Sequence, residues 1–283
     1  MMKALYSGVS GMRSHQTKMD VIGNNIANVN TYGFKTQRAT FRDVYYQTLK
    51  NPGAPGEDRG GTNASQVGYG AQIGSIDTIH TISGYSPTNK PTDIYINGDG
   101  FLAVMNSNGD TLYTRLGALN FDEQGNLVDV NGSRVIGIDN ESGNLTSSPT
   151  ETDLASSGPI KIKDYDDYEN ITINGDGSIT AVDKDDKIVT VGWIPVYKIP
   201  NQDALVLEGN SYYSRGNNAG EPAPNIPGAG GTGALVTGGL EMSNVDLANE
   251  FSDMIITQRG FQANTKIISV VDQMLEELVN LKR

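Results

Sequence analysis

The 283-residue sequence contains no cysteine, only two histidines and one tryptophan. Without cysteine there can be no disulfide, no thiolate metal ligand and no cysteine nucleophile. His15 and His80 lie outside any nucleophile motif, and we expect a solvent-facing helix residue and a strand residue at these positions. The sequence therefore predicts that the protein is not an enzyme and has no catalytic, cofactor-binding or metal-binding residues.

Long apolar segments are also missing. No stretch approaches the roughly 18 apolar residues that a membrane-spanning helix needs. The first eleven residues, Met1–Gly11, lack the apolar core of a cleavable secretory signal. We expect no direct membrane insertion, and export without a cleavable signal peptide if the protein leaves the cell.

The net charge of −12 is unevenly distributed. Residues 1–50 carry seven Lys and Arg against two Asp and Glu, whereas residues 51–239 carry ten against 24. The basic residues are scattered along the first segment, and the acidic remainder would repel phosphate. These features argue against nucleic-acid binding.

The first of two predicted helices runs from Ala4 to about Val29, where apolar residues recur at helical spacing. Asn28–Gly33 is expected to end it, because Asn and Gly tolerate the left-handed conformation that closes a helix. The apolar seam of this helix consists of Leu5, Val9, Met12, Met19 and Ile26.

The second predicted helix lies at the carboxyl end. Ser243–Asp246 fits the acidic variant of a capping box, so the helix is expected to begin there. A second apolar stripe beside its seam makes the apolar face wider than a two-stranded coiled coil uses, which indicates more than one neighbour. The seam is Leu247, Phe251, Met254, Phe261, Ile268, Leu275 and Val279, and the second stripe is Ile267, Val271, Met274 and Leu278.

The chain between these helices has the pattern of short strands joined by tight turns. Asn-Gly and Asp-Gly pairs supply the positive φ angles of hairpins, at residues 97–98, 99–100, 108–109, 131–132 and 174–175. The segment 94–100 recurs in similar form at 171–177, and we interpret this as coincidence because the flanking residues do not repeat. Glycine- and proline-rich tracts at 51–61 and 220–233, including the loop Gly228–Gly233, are predicted to be linkers.

These patterns predict a mainly β fold: a central β-rich domain of hairpins, as a partly closed barrel or a sandwich, flanked by N- and C-terminal helices. The predicted parts are residues 1–33 (N-terminal helix), 34–75 (extended or irregular connection), 76–236 (β-rich outer domain) and 237–283 (C-terminal helix).

The energetics of the two chain ends predict their order. Ordering a residue costs about 1–2 kcal/mol, and a buried large apolar side chain returns about 1.5–3 kcal/mol. With one seam residue in three or four, we expect the ends to be weakly ordered until many copies surround them.

Several segments resemble the terminal signatures of the flagellar rod, hook and hook-associated protein family. They are Leu5–Gly11, Met19–Lys35, Ser243–Leu247, Met254–Asn264 and the ending Leu278–Arg283. The positions that match the family motifs include Asn24, Asn25, Asn28, Gly33, Phe34, Asn244, Asp246, Gln258 and Arg259.

The resemblance implies a helical tube of many copies, with the two terminal helices paired coaxially along the inner wall and carrying assembly through their seams. It implies that Asn24, Asn25 and Asn28 form amide hydrogen bonds near the junction with the β domain. It also implies rod, hook-cap and hook–filament junction proteins as partners, export through the flagellar type III apparatus, and a place in the hook–basal body on the extracellular side.

Within this family the residues are similar to two different members, and both interpretations stay open. The run Gly60–Gln66 followed by 76–81 is similar to short hook proteins, whereas Tyr46–Ala54 is similar to distal rod proteins. We predict a hook subunit that couples rod to filament as a flexible tube, with a distal rod subunit as the alternative. Outside the family, the alternative is a secreted β-rich binding or adhesion module, for which the thirteen tyrosines could supply stacking surfaces.

Overall fold

The computed structural model describes residues 2–56, 60–139, 149, 154, 157–163, 165, 168–185 and 187–281. Within them the chain is mainly β with one long helix near each end, which confirms the predicted fold class. The chain forms two compact units: unit 1 is Met1–Val29, Thr36–Ile79 and Val245–Arg283, and unit 2 is Asn30–Lys35 and His80–Asn244.

Unit 1 contains both long helices and four strands. The helices pack against each other, and α1 also packs on β1 and β4, which pair in an antiparallel ribbon. Strands β2 and β3 form a second antiparallel ribbon with every side chain exposed. The elements are α1 (Met2–Ala27), β1 (Gln37–Asp43), β2 (Tyr46–Lys50), β3 (Ser65–Gly68), β4 (Ala71–Thr78) and α2 (Leu247–Leu281).

Residues 34–75 differ from the extended or irregular connection that we predicted, because they contain β1, β2, β3 and most of β4. The register joins Gln37 to Thr78 and Asp43 to Ala71, with a bulge after Thr40. Such pairing is set by contacts between distant residues, which the pattern of one segment does not reveal.

The start of α2 also differs from the prediction. The helix begins at Leu247, and its N-cap is Asp246 instead of Ser243, with Oδ1 of Asp246 accepting a hydrogen bond from the backbone N–H of Ala248 at 2.9 Å. A carboxylate one residue before the first turn satisfies the unpaired N–H groups directly. The first helix ends at Ala27, close to its predicted end.

Unit 2 contains the remaining strands and a short 3₁₀ helix, Gln202–Ala204. The strands are β5 (Tyr85–Pro87), β6 (Ile94–Asn97), β7 (Leu102–Met105), β8 (Thr111–Thr114), β9 (Leu119–Phe121), β10 (Leu127–Asp129), β11 (Arg134–Asp139), β12 (Gly158–Pro159), β13 (Tyr168–Ile173), β14 (Ser178–Asp183), β15 (Ile188–Trp193), β16 (Val196–Lys198), β17 (Val206–Gly209), β18 (Tyr212–Ser214), β19 (Ala223–Asn225), β20 (Ala234–Thr237) and β21 (Gly239–Glu241).

A curled sheet organises unit 2, with strands in the order β13-β14-β15-β11-β7-β8-β18-β17 and β9, β10 and β12 attached through β11 and β10. Three antiparallel pairs complete the unit: β6 with β20, β5 with β21, and β16 with β19. Its main core contains fully buried side chains from many strands, including Leu102, Val104, Leu119, Leu127, Val135, Ile160, Ile179 and Val196.

The predicted hairpin turns are confirmed at three places. Turns with positive φ at Gly109, Gly132 and Gly177 join β7 to β8, β10 to β11, and β13 to β14. In the third turn the positive φ is at Gly177 and not, as predicted, at Gly175. The segment 97–100 is no hairpin, because β6 pairs with β20 while β7 pairs with β8 and β11. Since the similar segment 171–177 does form a hairpin turn, the two copies have different structural roles, as expected for coincidence.

The loop Gly228–Gly233, predicted to be a linker, is a packed part of unit 2. The hydroxyl of Thr232 is buried and donates to the carbonyl of Ala229 at 2.7 Å. A Cβ atom at Gly233 would lie 2.6 Å from the Cα of Gly98, so both positions need glycine. Among the described residues, no helix combines the length and apolarity of a membrane span.

Candidate assembly site

The two helices of unit 1 run antiparallel and approach closely through small residues. A Cβ atom added to Gly11 would lie 2.9 Å from the side-chain amide of Asn264, and one added to Gly8 would lie 3.4 Å from Ile268. Further along, the ammonium of Lys18 lies 3.1 Å from the carboxylate of Asp253. These contacts fix the register of the helix pair.

The α1 seam lies within this unit. Its five predicted residues, Leu5, Val9, Met12, Met19 and Ile26, are all half-buried. The prediction that His15 faces solvent is wrong, because its ring packs against Gly260 and meets Phe41 edge-on at 5.5 Å. Burial, aided by Lys18, lowers the pKa of His15.

The α2 seam is divided between packed and exposed residues. Met254, Phe261 and Ile268 are half-buried, whereas Leu247, Phe251, Leu275 and Val279 are exposed. In the second stripe only Val271 is buried, and Ile267, Met274 and Leu278 are exposed. Pairing with α1 therefore covers only part of the apolar face that the sequence predicts.

The exposed apolar residues of α2 run along its whole length. Besides those above, they include Ile255, Ile256, Val270 and Leu281. A protein that stays monomeric seldom exposes an apolar patch of more than a few hundred Å². This surface of α2 has the properties of an interface between proteins.

The predicted family-motif asparagines form hydrogen bonds inside unit 1. Asn25 is buried; its amide donates to the carbonyl of Gln37 at 2.8 Å and to the carboxylate of Glu250 at 3.0 Å, and it accepts from the N–H of Gln37 at 3.0 Å. It thereby joins α1, β1 and α2. Burial raises the pKa of Glu250, while hydrogen bonds from Asn25 and Thr36 oppose that rise. Asn28 instead donates to the carbonyl of Asn24, at 2.9 Å, at the end of α1.

The family-motif residues near α2 have simpler surroundings. Asp246 caps the helix, as described above, and Asn244 donates to the hydroxyl of Thr81 at 2.9 Å within unit 2. Gln258 and Arg259 are exposed on α2, and the guanidinium of Arg259 donates to Gln262 at 3.0 Å.

A buried charge cluster in unit 2 is the main polar feature that our sequence interpretation missed. It consists of Lys35, Arg115 and Glu241, whose side chains are all fully buried. The Glu241 carboxylate lies 2.7 Å from the Lys35 ammonium and 3.4 Å from the Arg115 guanidinium. The cluster thereby joins the two segments at which the chain enters and leaves unit 2, residues 30–35 and 239–244.

Other groups complete the surroundings of the charge cluster. The Lys35 ammonium also donates to the carbonyl of Thr81 at 2.6 Å, and the guanidinium of Arg115 lies over the ring of Phe101 at 5.2 Å. Burial lowers the pKa of Lys35 and of Arg115, and Glu241 opposes both shifts. The Glu241 carboxylate therefore offsets part of the free-energy cost of burying two cations.

His80 lies beside the same part of unit 2, after the end of β4 and not inside a strand as predicted. Its ring packs against Phe101 and Tyr213, with centroids 5.7 Å and 5.6 Å away. Burial, aided by the positive charges of Lys35 and Arg115, lowers its pKa to about 4. His80 is therefore neutral at pH 7.

Gly33 and Phe34, two more family-motif positions, precede the charge cluster. Gly33 has φ +70°, and a Cβ atom there would lie 3.1 Å from the backbone nitrogen of Leu116. Its N–H donates to the backbone carbonyl of Glu241 at 2.8 Å. Phe34 is half-buried. A side chain at position 33 would push the chain away from Glu241.

Comparisons with known proteins match three parts of the chain. A profile described as flagella basal body rod protein matches residues 5–35, the flagellar hook protein FlgE/F/G D1 domain matches 95–181, and the flagellar basal body rod FlgEFG protein C-terminal profile matches 236–281. The chain is also 45% identical to the flagellar basal-body rod protein FlgG of Bacillus subtilis, over the full length of both.

The chain belongs to the flagellar rod and hook protein family.

Other members of this flagellar family align over the full length of both chains as well. The rod protein FlgG of Borreliella burgdorferi is 34% identical over 285 positions. The hook protein FlgE of the same species is 28% identical over 442 positions. Because this chain has 283 residues, that hook protein contains segments with no counterpart here.

The three matched regions of this flagellar chain meet in the charge cluster. Lys35 lies in the first region, Arg115 in the second and Glu241 in the third. Two sequence signals could have indicated the cluster: Arg115 is the only charged residue of the segment 111–121, and Glu241 is the only charged residue of the segment 222–245. A charged residue in such an uncharged segment needs a partner when it is buried.

Proposed function

We propose that the protein is the distal rod subunit of the bacterial flagellar basal body. The observation that carries this proposal is the end-to-end alignment with a rod protein of nearly equal length, over 284 positions at 45% identity. The hook interpretation that we drew from the sequence is less well supported, since the hook relatives are longer and less similar.

The geometry supports a structural role in a polymer. The apolar surface of α2 offers a contact for further copies. Unit 2 has an enclosed core of its own, so it could form the outer part of such a polymer. We propose that the chain forms a helical tube in which the terminal segments, 1–33 and 237–283, line the inner wall and the β-rich part, 76–236, lies outside. The seam residues and the family-motif residues would then serve assembly, and the protein would not be an enzyme.

The setting of this polymer is part of the proposal. We propose that the subunit leaves the cell through the flagellar type III export apparatus without a cleavable signal peptide. Its neighbours would be the more proximal rod proteins at one end and the hook at the other. Family membership favours this role over a secreted binding or adhesion module.

Gold labelling of purified hook–basal bodies tests this assignment. An epitope tag replaces the exposed residues Asn108 and Gly109 at the turn between β7 and β8, and a tag on the hook protein of the same cells serves as the control. We expect gold on the rod for this chain and on the hook for the control. Gold along the hook would contradict the distal rod assignment and favour the hook alternative.

Loss of the gene gives a second, independent result. A strain without this chain should assemble neither hook nor filament, since the hook would have no base on which to grow. Basal bodies with a complete rod but no hook would contradict the proposal.

A further inference from the structure

Within the described part of unit 1, the end of α2 has no partner helix. Asn25 contacts Glu250, His15 contacts Gly260, and Gly8 contacts Ile268, so paired residue numbers add up to about 275. Met2, the first residue of α1, is therefore opposite the residue near position 273. The last two turns of α2, residues 274–281, extend beyond α1, and we call them the α2 overhang.

The overhang is mostly apolar, and its large apolar side chains are exposed to solvent. Its large apolar residues are between 40% and 81% exposed: Met274, Leu275, Leu278, Val279 and Leu281. At about 100° per residue, Glu277 lies at one edge of this apolar surface and Asp272, just before the overhang, lies at the other. An isolated helical end with this composition gains little from folding alone.

A groove on the other side of α1 has the matching chemistry. It lies between α1 and β4, has a volume of about 350 Å³, and we call it the α1/β4 groove. Its residues include Tyr6, Val9, Arg13, Thr17, Ala71 and Ile73. Tyr6 is 61% exposed, and Arg13 is the cation of the groove. These residues lie on the side of α1 opposite to Gly8 and Gly11, which contact α2.

We propose that the α2 overhang of one copy docks in the α1/β4 groove of a second copy. Apolar side chains of the overhang would cover Tyr6, Val9 and Ile73, and the carboxylate of Glu277 would pair with Arg13. The acidic rim of the overhang and the basic first segment of the chain agree in sign with this contact.

The contact joins two different surfaces of the same chain, so it is heterologous. A heterologous contact leaves one free overhang and one free groove on every complex, and it generates an open helical array unless the rotation closes a ring. This inference rests on the proposed function and adds to it the pair of surfaces that would drive elongation.

Two variants of the full-length chain separate the two surfaces. The overhang variant is Leu278→Asp with Leu281→Asp, and the groove variant is Tyr6→Glu. The matched control is Val130→Asp with Ile188→Asp, two similarly exposed apolar residues of unit 2. Sedimentation velocity over a range of concentrations measures association, and circular dichroism checks the fold.

We expect wild type and control to form long polymers, and each variant to need at least a tenfold higher concentration. An equimolar mixture of the two variants should form heterodimers and nothing longer, because it contains one intact overhang and one intact groove per pair. Heterodimer formation would also show that both variants are folded. Arg13→Glu and Glu277→Arg should each weaken association, and the chain with both changes should recover most of it.

The possible failures are distinguishable. If the wild-type chain stays monomeric at every concentration, the polymeric function itself is contradicted. If the wild type polymerises and both variants polymerise equally well, the contact between overhang and groove is wrong while the function stands. Polymers in the mixture of variants would also contradict the contact, since they require another occupant of the groove.

Discussion

The two units differ in how far they bury their large apolar side chains. In unit 2 the large aliphatic side chains of the main core are enclosed, and Leu102, Val104 and Leu119 have no exposed surface, although a few outside it, such as Val130 and Ile188, are exposed. In unit 1 the helix α2 exposes most of its large apolar side chains, although it is the longest element of the chain. The difference indicates that unit 2 is stabilised by its own core, and it supports the proposal that contacts with other copies complete unit 1.

The single tryptophan allows this comparison to be measured. Trp193 is buried in unit 2, so its fluorescence reports unfolding of that unit. Both long helices belong to unit 1, so helical circular dichroism reports mainly on that unit.

The largest expected effect comes from the charge cluster of unit 2. Glu241→Gln removes the carboxylate that faces two buried cations, and breaking a buried ion pair from one side costs about 3–5 kcal/mol. We expect the urea midpoint of the tryptophan transition to fall by a corresponding amount. Glu221→Gln, at an exposed carboxylate of the same unit, should leave the midpoint unchanged. A small effect of Glu241→Gln would mean that the cluster contributes little to unit 2.

A matched pair of leucines compares the units directly. Leu119→Ala opens a cavity in a closed core, and such changes cost about 2–5 kcal/mol. Leu278→Ala removes a side chain that is 48% exposed, so the unfolding free energy of the dilute chain should change by about 0.5 kcal/mol or less. Equal losses, measured by denaturant unfolding with both signals, would contradict the contrast between the units.

The third effect depends on pH. His80 has a pKa of about 4 in the folded chain against an ordinary value of 6.5, so the folded state binds fewer protons between these values. The contribution of neutral His80 to the stability of unit 2 is then fully present above about pH 6.5, and it is lost as the pH drops towards 4. His80→Gln should make the urea midpoint of the tryptophan transition less dependent on pH in this range. If the urea midpoint of His80→Gln depended on pH as strongly as that of the wild type, groups other than His80 would cause the pH dependence.

The smallest effect concerns the start of α2. Asp246→Ala removes the side chain that caps the helix, which costs about 1 kcal/mol. The comparison is Asp253→Ala, which breaks the partly exposed salt bridge to Lys18. It should lower the unfolding free energy by less than Asp246→Ala does. Helical circular dichroism during thermal unfolding measures both. If the two changes cost the same, the N-cap is not the stronger contact.

The sequence was sufficient for features that local chemistry determines. Helical spacing predicted both long helices, and Asn-Gly turns predicted three hairpins of unit 2. The apolar width of α2 also indicated that one partner helix could not cover it, and the structure leaves Ile267, Met274 and Leu278 exposed.

Features that depend on distant residues could not be predicted in this way. The pairing of β1 with β4 joins residues more than 25 positions apart, and no pattern within either strand specifies it. The charge cluster brings together residues 35, 115 and 241, which are far apart in the sequence, so that no local pattern shows that they meet. His15 was predicted to face solvent because its packing depends on Gly260, where the second helix approaches α1.

Amide hydrogen exchange tests the central claim most directly, by comparing α2 with the core strands of unit 2 in the dilute chain and in the assembled polymer. We expect the amides of Met274–Leu281 to exchange rapidly in the dilute chain, those of β7 and β11 to exchange slowly, and both to be protected after assembly. If the amides of α2 in the dilute monomer were already as protected as those of β7, the helix would be complete without other copies, and the account would be contradicted.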